Sequence, residues 1–240
     1  MSTKIAVFGA TGGVCLAAVK LLLAEKKYKV SVLVRSKEKF ENLYFGDAIA
    51  DDKREFDKNL EIFVGDVYDE DDTNLKNVIR GSKMILSGLG ALPKISFSLF
   101  PSRWFQFSQP HICEETGKII LKAVESLPVE ERPSRIIGIS TSGLDHDVPF
   151  LLDSFYKLFL HVPHQDKAEL EELLTNQTLI PEVILVRGTL YTTGPTTRKY
   201  HATEGKKLGY TISRNDVGHF IFTQCIEGDE WVGKKPLVTY

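Results

Sequence analysis

The chain has 240 residues, 42% of them hydrophobic and 26% charged, with a formal net charge of −2. This composition is typical of a globular protein, and the near-neutral charge argues against a nucleic-acid or anionic-membrane partner. Three widely spaced cysteines, Cys15, Cys113 and Cys225, predict neither a disulfide framework nor a metal site. We recognise no leader sequence and no apolar run of membrane-spanning length, so we expect a cytoplasmic location, with the nucleus as the alternative.

The N-terminal segment predicts a phosphate-binding βαβ unit. Residues 5–8 form a continuous apolar run, as in a parallel strand that is covered on both faces. The helix predicted over residues 14–25 would direct free N–H groups and the positive end of its dipole at a pyrophosphate. Glycines before that helix permit a tight turn and a close approach of the ligand to the backbone. The residues assigned to this loop are Gly9, Thr11, Gly12, Gly13 and Val14.

Arg35 follows the second predicted strand, residues 30–34, and indicates which dinucleotide is bound. NAD-binding proteins usually have an acidic residue here, which accepts hydrogen bonds from the ribose 2′-hydroxyl. A guanidinium can instead bind a 2′-phosphate, with Ser36 and Lys37 beside it. We therefore expect NADP(H) as the cofactor rather than NAD(H). The alternative is a solvated arginine at the end of a strand.

Apolar runs and amphipathic stretches alternate along the rest of the chain, which is typical of a parallel sheet with crossover helices. Strands are predicted at residues 60–64, 84–87, 135–140 and 183–187, and a further one at 236–240. Helices are predicted at residues 72–80, 111–127, 167–175 and 213–227. These elements predict a single doubly wound Rossmann-like α/β domain over residues 1–240, with helices on both faces of the sheet. We expect the strand order 3-2-1-4-5-6, with a seventh strand at the C-terminus.

Four motifs carry a resemblance to a known family. GATGGV, VLVR, GDVYDED and ISRNDVG resemble the atypical short-chain dehydrogenase/reductases, in particular the biliverdin-reductase-B-like and nitrogen-metabolite-repression-like NAD(P)-binding proteins. The family pattern has a third glycine where this chain has Cys15. Because that position serves helix–strand packing, we expect a small cysteine to be tolerated. The alternative is a thiol activated by the helix N-terminus.

Ligands of such sheets bind beyond the carboxyl ends of the strands. The resemblance places Asp66 and Val67 at the adenine edge, although Asp66 could instead cap the following segment. The residues after the fourth strand are expected at the nicotinamide ribose: Gly88, Leu89 and Gly90. Thr141 and Ser142 follow the fifth strand and would face the nicotinamide, or else form a turn.

The tyrosine that typical members place four residues before a lysine is absent from this sequence. Lys167 nevertheless opens the predicted helix 166–174, where the resemblance places that lysine, and Pro163 occupies the position of the tyrosine. Because a cation is disfavoured near a helix N-terminus, we expect Lys167 to bind the ribose hydroxyls rather than to be a surface lysine. The candidate proton donors are Tyr156, Thr141 and Ser142, with water as the alternative.

Residues 91–111 and 143–166 are the predicted substrate-side segments, because both are rich in aromatic residues and follow strands at the nicotinamide end. Internal packing or a homodimer contact is the alternative; the chain is expected to be a monomer or a homodimer. Arg214 and Asp216 are interpreted as fixing a helix start. The function predicted is an NADPH-dependent reductase of a small carbonyl, flavin or quinone-like acceptor. The alternative is an NADP(H)-binding redox sensor with little or no catalysis.

Overall fold

The computed structural model describes residues 2–46, 58–69, 73–90, 94–95, 105–106, 110–145, 148–205 and 209–240. The strands are β1 Thr3–Phe8, β2 Tyr28–Val34, β3 Leu60–Val64, β4 Met84–Ser87, β5 Lys94–Ile95, β6 Phe105–Gln106, β7 Arg135–Thr141, β8 Glu182–Gly188, β9 Leu190–Thr192, β10 His201–Thr203, β11 Thr211–Ser213 and β12 Leu237–Thr239. The helices are α1 Gly13–Ala24, α2 Lys37–Phe45, α3 Thr73–Ile79, α4 Ile112–Glu125, α5 Phe150–Phe159, α6 His161–Asn176 and α7 Arg214–Phe220.

The central sheet has the order β3-β2-β1-β4-β7-β8-β12-β10 in the described residues. Its first six strands are the predicted 3-2-1-4-5-6 arrangement, and β12 is the predicted seventh strand, parallel to β8. The short edge strand β10 pairs antiparallel with β12 and was not predicted. It has only three residues, so its alternation is too brief to give a pattern. Two short pairs, β9 with β11 and β5 with β6, lie outside this sheet.

The core lies on both faces of the sheet, as the continuous apolar run of β1 predicts. Ile5 and Val7 point into one hydrophobic cluster, which contains α1 and α7. Ala6 and Phe8 point into the other, which contains α3, α4 and α6. Alternate side chains of one strand thus meet different helices, which explains why β1 lacks a polar face.

Two helix predictions need correction. The helix that carries Lys167 begins at His161 rather than at residue 166, and α5 before it ends at Phe159. Pro163 lies in the first turn of α6, where the missing N–H costs no intrahelical bond. Lys167 therefore lies in the second turn, and the argument from a cation at a helix N-terminus was wrong. The predicted helix 213–227 is regular only in α7 and continues as a π-helix, Ile221–Ile226.

No described helix combines the length and the apolarity needed to cross a membrane.

Candidate functional site

A cavity of about 560 Å³ opens at the carboxyl ends of β1, β4, β7 and β8. This is the switch point of the sheet, where the strand order reverses. The predicted site residues that line it are Gly12, Gly13, Val14, Gly88, Leu89, Gly90, Thr141, Tyr156 and Lys167. The remaining predicted residues lie outside its walls: Gly9, Thr11, Arg35, Ser36, Asp66, Val67 and Ser142.

The glycine loop has the features that a phosphate group needs. Gly9 has a φ of +75°, and a Cβ there would lie 2.8 Å from the backbone of Gly88. The Gly12 N–H donates to the Gly9 carbonyl at 2.8 Å, which closes the turn. Gly12 is the N-cap of α1 and has no side chain, and the first turn contains no acidic residue. Among the described residues, the N-terminal N–H groups of α1 therefore have no side-chain acceptor, and an anionic ligand fits there.

Cys15 fills the position of the missing third glycine by packing against Gly88, the residue that follows β4. A Cβ on Gly88 would lie 2.5 Å from the Cys15 Sγ. The side chain of Cys15 therefore occupies space that is available because residue 88 is a glycine. The Cys15 thiol donates to the Phe8 carbonyl at 3.6 Å, and burial raises its pKa to about 12. Burial outweighs the nearby Lys167 charge, so the thiol is not activated and the packing interpretation of Cys15 is favoured.

Lys167 reaches the cavity from the second turn of α6. Its Nζ donates to the carbonyl of Leu89 at 3.0 Å and to that of Ile139 at 2.8 Å. The interpretation as a solvated surface lysine was therefore wrong. An ammonium group has three donors, so one remains for a ligand after these two contacts with the described residues.

Asp166, the residue before Lys167, holds α6 in register with α4. Its buried carboxylate accepts hydrogen bonds from the N–H groups of Cys113, at 2.9 and 3.1 Å, and of Glu114, at 2.9 Å. These are orphan donors of the first turn of α4, so Asp166 caps that helix from another element. This contact fixes the turn of α6 from which Lys167 extends.

Tyr156 forms the other end of the cavity, and its side chain is buried, with 3% exposed. Its Oη lies 3.2 Å from the Oγ of Ser142. Ser142 is fully buried and reaches the cavity through Tyr156, so the expectation that Ser142 faces the nicotinamide directly was wrong. Thr141 does line the cavity, while its hydroxyl donates to the Ser142 carbonyl at 3.3 Å. The His164 ring lies tilted against the Tyr156 ring, with 4.5 Å between the ring centres.

The predicted adenine-side residues lie at neighbouring strand ends. Gly65 N–H donates to the Val34 carbonyl at 3.1 Å, which brings the end of β3 beside the end of β2. Arg35 is exposed there, and the Ser36 Oγ caps α2 by accepting from the Lys39 N–H at 3.2 Å. The Asp66 carboxylate accepts from the Tyr68 N–H at 3.2 Å. This local turn is the alternative foreseen for Asp66, and Val67 is buried beside it.

Tyr191 and Arg214 also line the cavity, although the sequence reasoning singled out neither side chain as a ligand-binding residue. Tyr191 lies in the segment after β8; its hydroxyl donates to the Ser140 carbonyl at 3.0 Å, and burial raises its pKa. Arg214 was interpreted as structural, but its side chain lies across Gly13 and lines the cavity. The paired interpretation of Asp216 holds, because its buried carboxylate accepts hydrogen bonds from backbone and hydroxyl groups around the start of α7.

The two predicted substrate-side segments are described unequally. Residues 143–166 contribute five side chains to the cavity wall: Phe155, Tyr156, Leu160, Pro163 and His164. Of residues 91–111, the structure describes only the short β5–β6 pair and residues 110–111. The rest of that prediction lies outside the described residues.

A switch-point cavity with an uncapped glycine loop defines a dinucleotide-binding protein of the Rossmann type. The chain belongs to the NAD(P)H-binding family, whose profile matches residues 9–227. This confirms the resemblance to the atypical short-chain dehydrogenase/reductases.

The chain is similar to two curated fungal proteins along nearly all of their length. It is 29% identical to Oxidase pynE of Aspergillus niger, with 98% of each protein covered. It is 26% identical to Reductase pytE of Aspergillus terreus, covering 98% of this chain and 97% of that one. The fold is similar to that of a short-chain dehydrogenase/reductase from Veillonella parvula in complex with NADP. That comparison has a TM-score of 0.75 at 15% identity and covers 100% of this chain and 95% of the other.

Proposed function

We propose that this protein is an NADPH-dependent oxidoreductase that reduces a small carbonyl, flavin or quinone-like acceptor. The observation that carries the proposal is the continuity of one cavity from the glycine loop at Gly12 to the phenol of Tyr156. Such a cavity can hold the reactive end of a nicotinamide next to an acceptor. The names of the two fungal relatives, an oxidase and a reductase, support redox chemistry for this chain as well.

The cofactor end of the proposal follows the strand ends. The phosphate loop is formed by Gly9, Thr11, Gly12, Gly13 and Val14, and the ribose and nicotinamide lie along Gly88, Leu89, Gly90 and Lys167. The adenosine end lies beside Asp66 and Val67, with its 2′-phosphate on Arg35 and Ser36. The absence of a carboxylate directly after β2 supports NADP(H), since that is where an NAD-specific acid would stand.

The acceptor end is apolar and aromatic, and Tyr156 is its proton donor in this proposal. NADPH, when bound, supplies a hydride; the acceptor then needs one proton for a neutral product. The Tyr156 Oη has Ser142 Oγ at 3.2 Å, a hydroxyl that can pass a proton back to the phenol after transfer. Phe155, Leu160 and Leu190 surround the phenol with apolar surface, which suits a planar acceptor.

The direct test is NADPH oxidation, followed at the nicotinamide absorbance, with flavins, quinones and aldehydes as acceptors. We expect turnover with at least one of these classes, and tighter binding of NADPH than of NADH. Tight NADPH binding with every acceptor class inert would contradict the catalytic proposal and favour a redox sensor. A wild-type chain that binds neither dinucleotide would contradict the whole assignment.

The role of Tyr156 is tested by Tyr156→Phe, with Tyr28→Phe as the matched control. Tyr28 lies at the start of β2, at the opposite end of the strands from the cavity, where its hydroxyl donates to Glu227. We expect Tyr156→Phe to lower kcat for a carbonyl acceptor by about 100-fold or more, which is the usual contribution of a positioned acid. The NADPH affinity should stay unchanged in both variants. Equal kcat values for the two variants would rule out Tyr156 as the donor and leave the hydroxyls of Thr141 and Ser142, or water, as the source of the proton.

A further inference from the structure

Arg214 occupies the space that a side chain at position 13 would need. A Cβ built on Gly13 would lie 2.6 Å from the Arg214 Cδ, so the arginine's aliphatic stem crosses the first residue of α1. Its Nη1 donates to the Tyr191 carbonyl at 3.2 Å, and its guanidinium lies 5.9 Å from the centre of the Tyr191 ring. These contacts hold the guanidinium against the cavity wall.

The charge of Arg214 has no carboxylate partner among the described residues, which distinguishes it from the two buried arginines of the sheet. Arg135 pairs with Glu182 and Asp229, and Arg187 pairs with Glu171 and Asp145. A guanidinium has five N–H donors, and the Tyr191 carbonyl accepts from only one nitrogen. Free donors on a half-buried cation thus lie next to the uncapped N-terminus of α1, so two groups that attract anions converge on one place.

A purely structural role does not explain this arrangement. The contact between α7 and α1 is already made by Gly218, where a Cβ would lie 2.6 Å from the Ala17 Cβ. The start of α7 is fixed by Ser213, its N-cap, and by the buried Asp216. Neither contact involves the Arg214 side chain.

We propose that Arg214 binds the pyrophosphate of the cofactor together with the N-terminus of α1, and that position 13 is a glycine in order to admit the arginine. This inference rests on the proposed cofactor site. It adds to that site a charged residue from α7, which lies far from the glycine loop in the sequence. A guanidinium suits the task because it can bind phosphate oxygens through two parallel hydrogen bonds.

The first experiment measures ligand affinity by calorimetry for the wild type, Arg214→Gln and Arg214→Lys. The probes are NADP⁺, 2′-phospho-ADP-ribose, which has the pyrophosphate without the nicotinamide, and adenosine 2′-monophosphate, which has neither. For Arg214→Gln we expect the Kd of the first two probes to rise about 10- to 100-fold, the range of a charge-assisted contact, with the third unchanged. Arg214→Lys should recover part of the loss. Thermal melting identifies any variant that is not folded.

The second experiment is a double-mutant cycle between positions 13 and 214, with Gly12→Ala as the matched control. Within the described part of the chain, a Cβ on Gly12 would approach only the Gly9 carbonyl oxygen, at 3.1 Å, and not Arg214. We expect Gly13→Ala to weaken NADP⁺ binding in the wild type but hardly at all in Arg214→Gln, whereas any penalty of Gly12→Ala should be the same in both backgrounds.

Three outcomes would overturn the inference. The first is an unchanged Kd for NADP⁺ in Arg214→Gln, and the second is an equal penalty of Gly13→Ala in both backgrounds. The third is a raised KM for an acceptor with unchanged cofactor affinity, which would assign Arg214 to an anionic substrate. Each of these leaves NADP⁺ binding by the wild type intact, so it is distinguishable from failure of the proposed function, in which the wild type itself would not bind.

Discussion

Replacement of Glu171 by glutamine should destabilise the protein strongly, because Glu171 is the centre of a buried ion network. Its carboxylate accepts two hydrogen bonds from Arg187, at 2.9 and 2.6 Å, one from Ser140 at 2.6 Å, and one from Lys235 at 3.0 Å. The side chains of Glu171 and Arg187 are 3% and 5% exposed. Glu171 thus joins α6 to β7 and β8 directly below the cavity, where Ser140 is part of the wall.

The size of the expected loss in the free energy of unfolding depends on the Arg187 charge, which remains after the substitution. Glu171→Gln keeps the shape of the side chain but removes its charge, and it leaves the Arg187 guanidinium paired with Asp145, whose side chain is 69% exposed. Removing one partner of a buried ion pair costs about 3 to 5 kcal/mol, because the remaining charge stays desolvated, and among the described residues Arg187 would keep only the exposed Asp145 carboxylate as its partner. For a chain of this size, that corresponds to a decrease in Tm of roughly 6 to 20 °C.

The assay is urea unfolding at pH 7, followed by circular dichroism, with Glu172→Gln as the control. Glu172 is the next residue of α6 and is exposed, so its substitution should change the free energy of unfolding by at most about 0.5 kcal/mol. A loss below about 1 kcal/mol for Glu171→Gln would refute the reasoning, since it would mean that the network carries no net stabilisation.

The pH dependence provides a second measurement on the same pair of proteins. Burial by itself would raise the pKa of Glu171, but the hydrogen bonds and charge of Arg187 outweigh it, so the pKa in the folded state lies below its usual value. The stabilisation is therefore complete above the unfolded-state pKa of about 4.3 and is lost as the pH falls through the folded-state pKa. The wild type should lose more stability than Glu171→Gln over that acidic range; parallel curves would contradict this.

Three further predictions concern the cofactor and the cysteines. Arg35→Ser should raise the Kd of NADPH about 10-fold and leave the Kd of NADH unchanged. The expected effect is at the lower end for a charge-assisted hydrogen bond, because the Arg35 side chain is exposed. Equal effects on both dinucleotides would contradict the binding of the 2′-phosphate by Arg35. Lys167→Ala should weaken NADPH binding about 10-fold, as measured by fluorescence titration. The substitution removes the ammonium donor that remains for the ligand and the hydrogen bond to the Leu89 carbonyl. Unchanged affinity would eliminate the ribose role of Lys167. All three cysteines are buried, and burial raises their pKa values, for Cys15 to about 12. A thiol reagent at pH 8 should therefore react with them only after unfolding. Rapid labelling of the folded protein would show that the helix carrying the labelled cysteine opens.

The sequence by itself determined the sheet and the position of the glycine loop before α1. Continuous apolar runs such as β1, glycines at fixed offsets and the crossover rule depend on local periodicity and chain connectivity, which are written along the chain. The same local signals predicted the exchange of a glycine for Cys15 as a packing change, and the structure shows the space it uses beside Gly88. The three-residue strand β10 was missed because three residues are too few to show a period.

The tertiary structure alone decided how Lys167 and Arg214 enter the cavity. Lys167 was predicted partly because the helix was expected to begin beside it, whereas α6 begins at His161. Lys167 reaches the cavity because Asp166 caps α4, a helix more than 50 residues away in the chain. Arg214 was interpreted as structural, because nothing within its own helix reveals that Gly13 leaves room for it. Both contacts join elements that are distant in sequence, and their geometry depends on how whole helices pack across the sheet rather than on any local pattern.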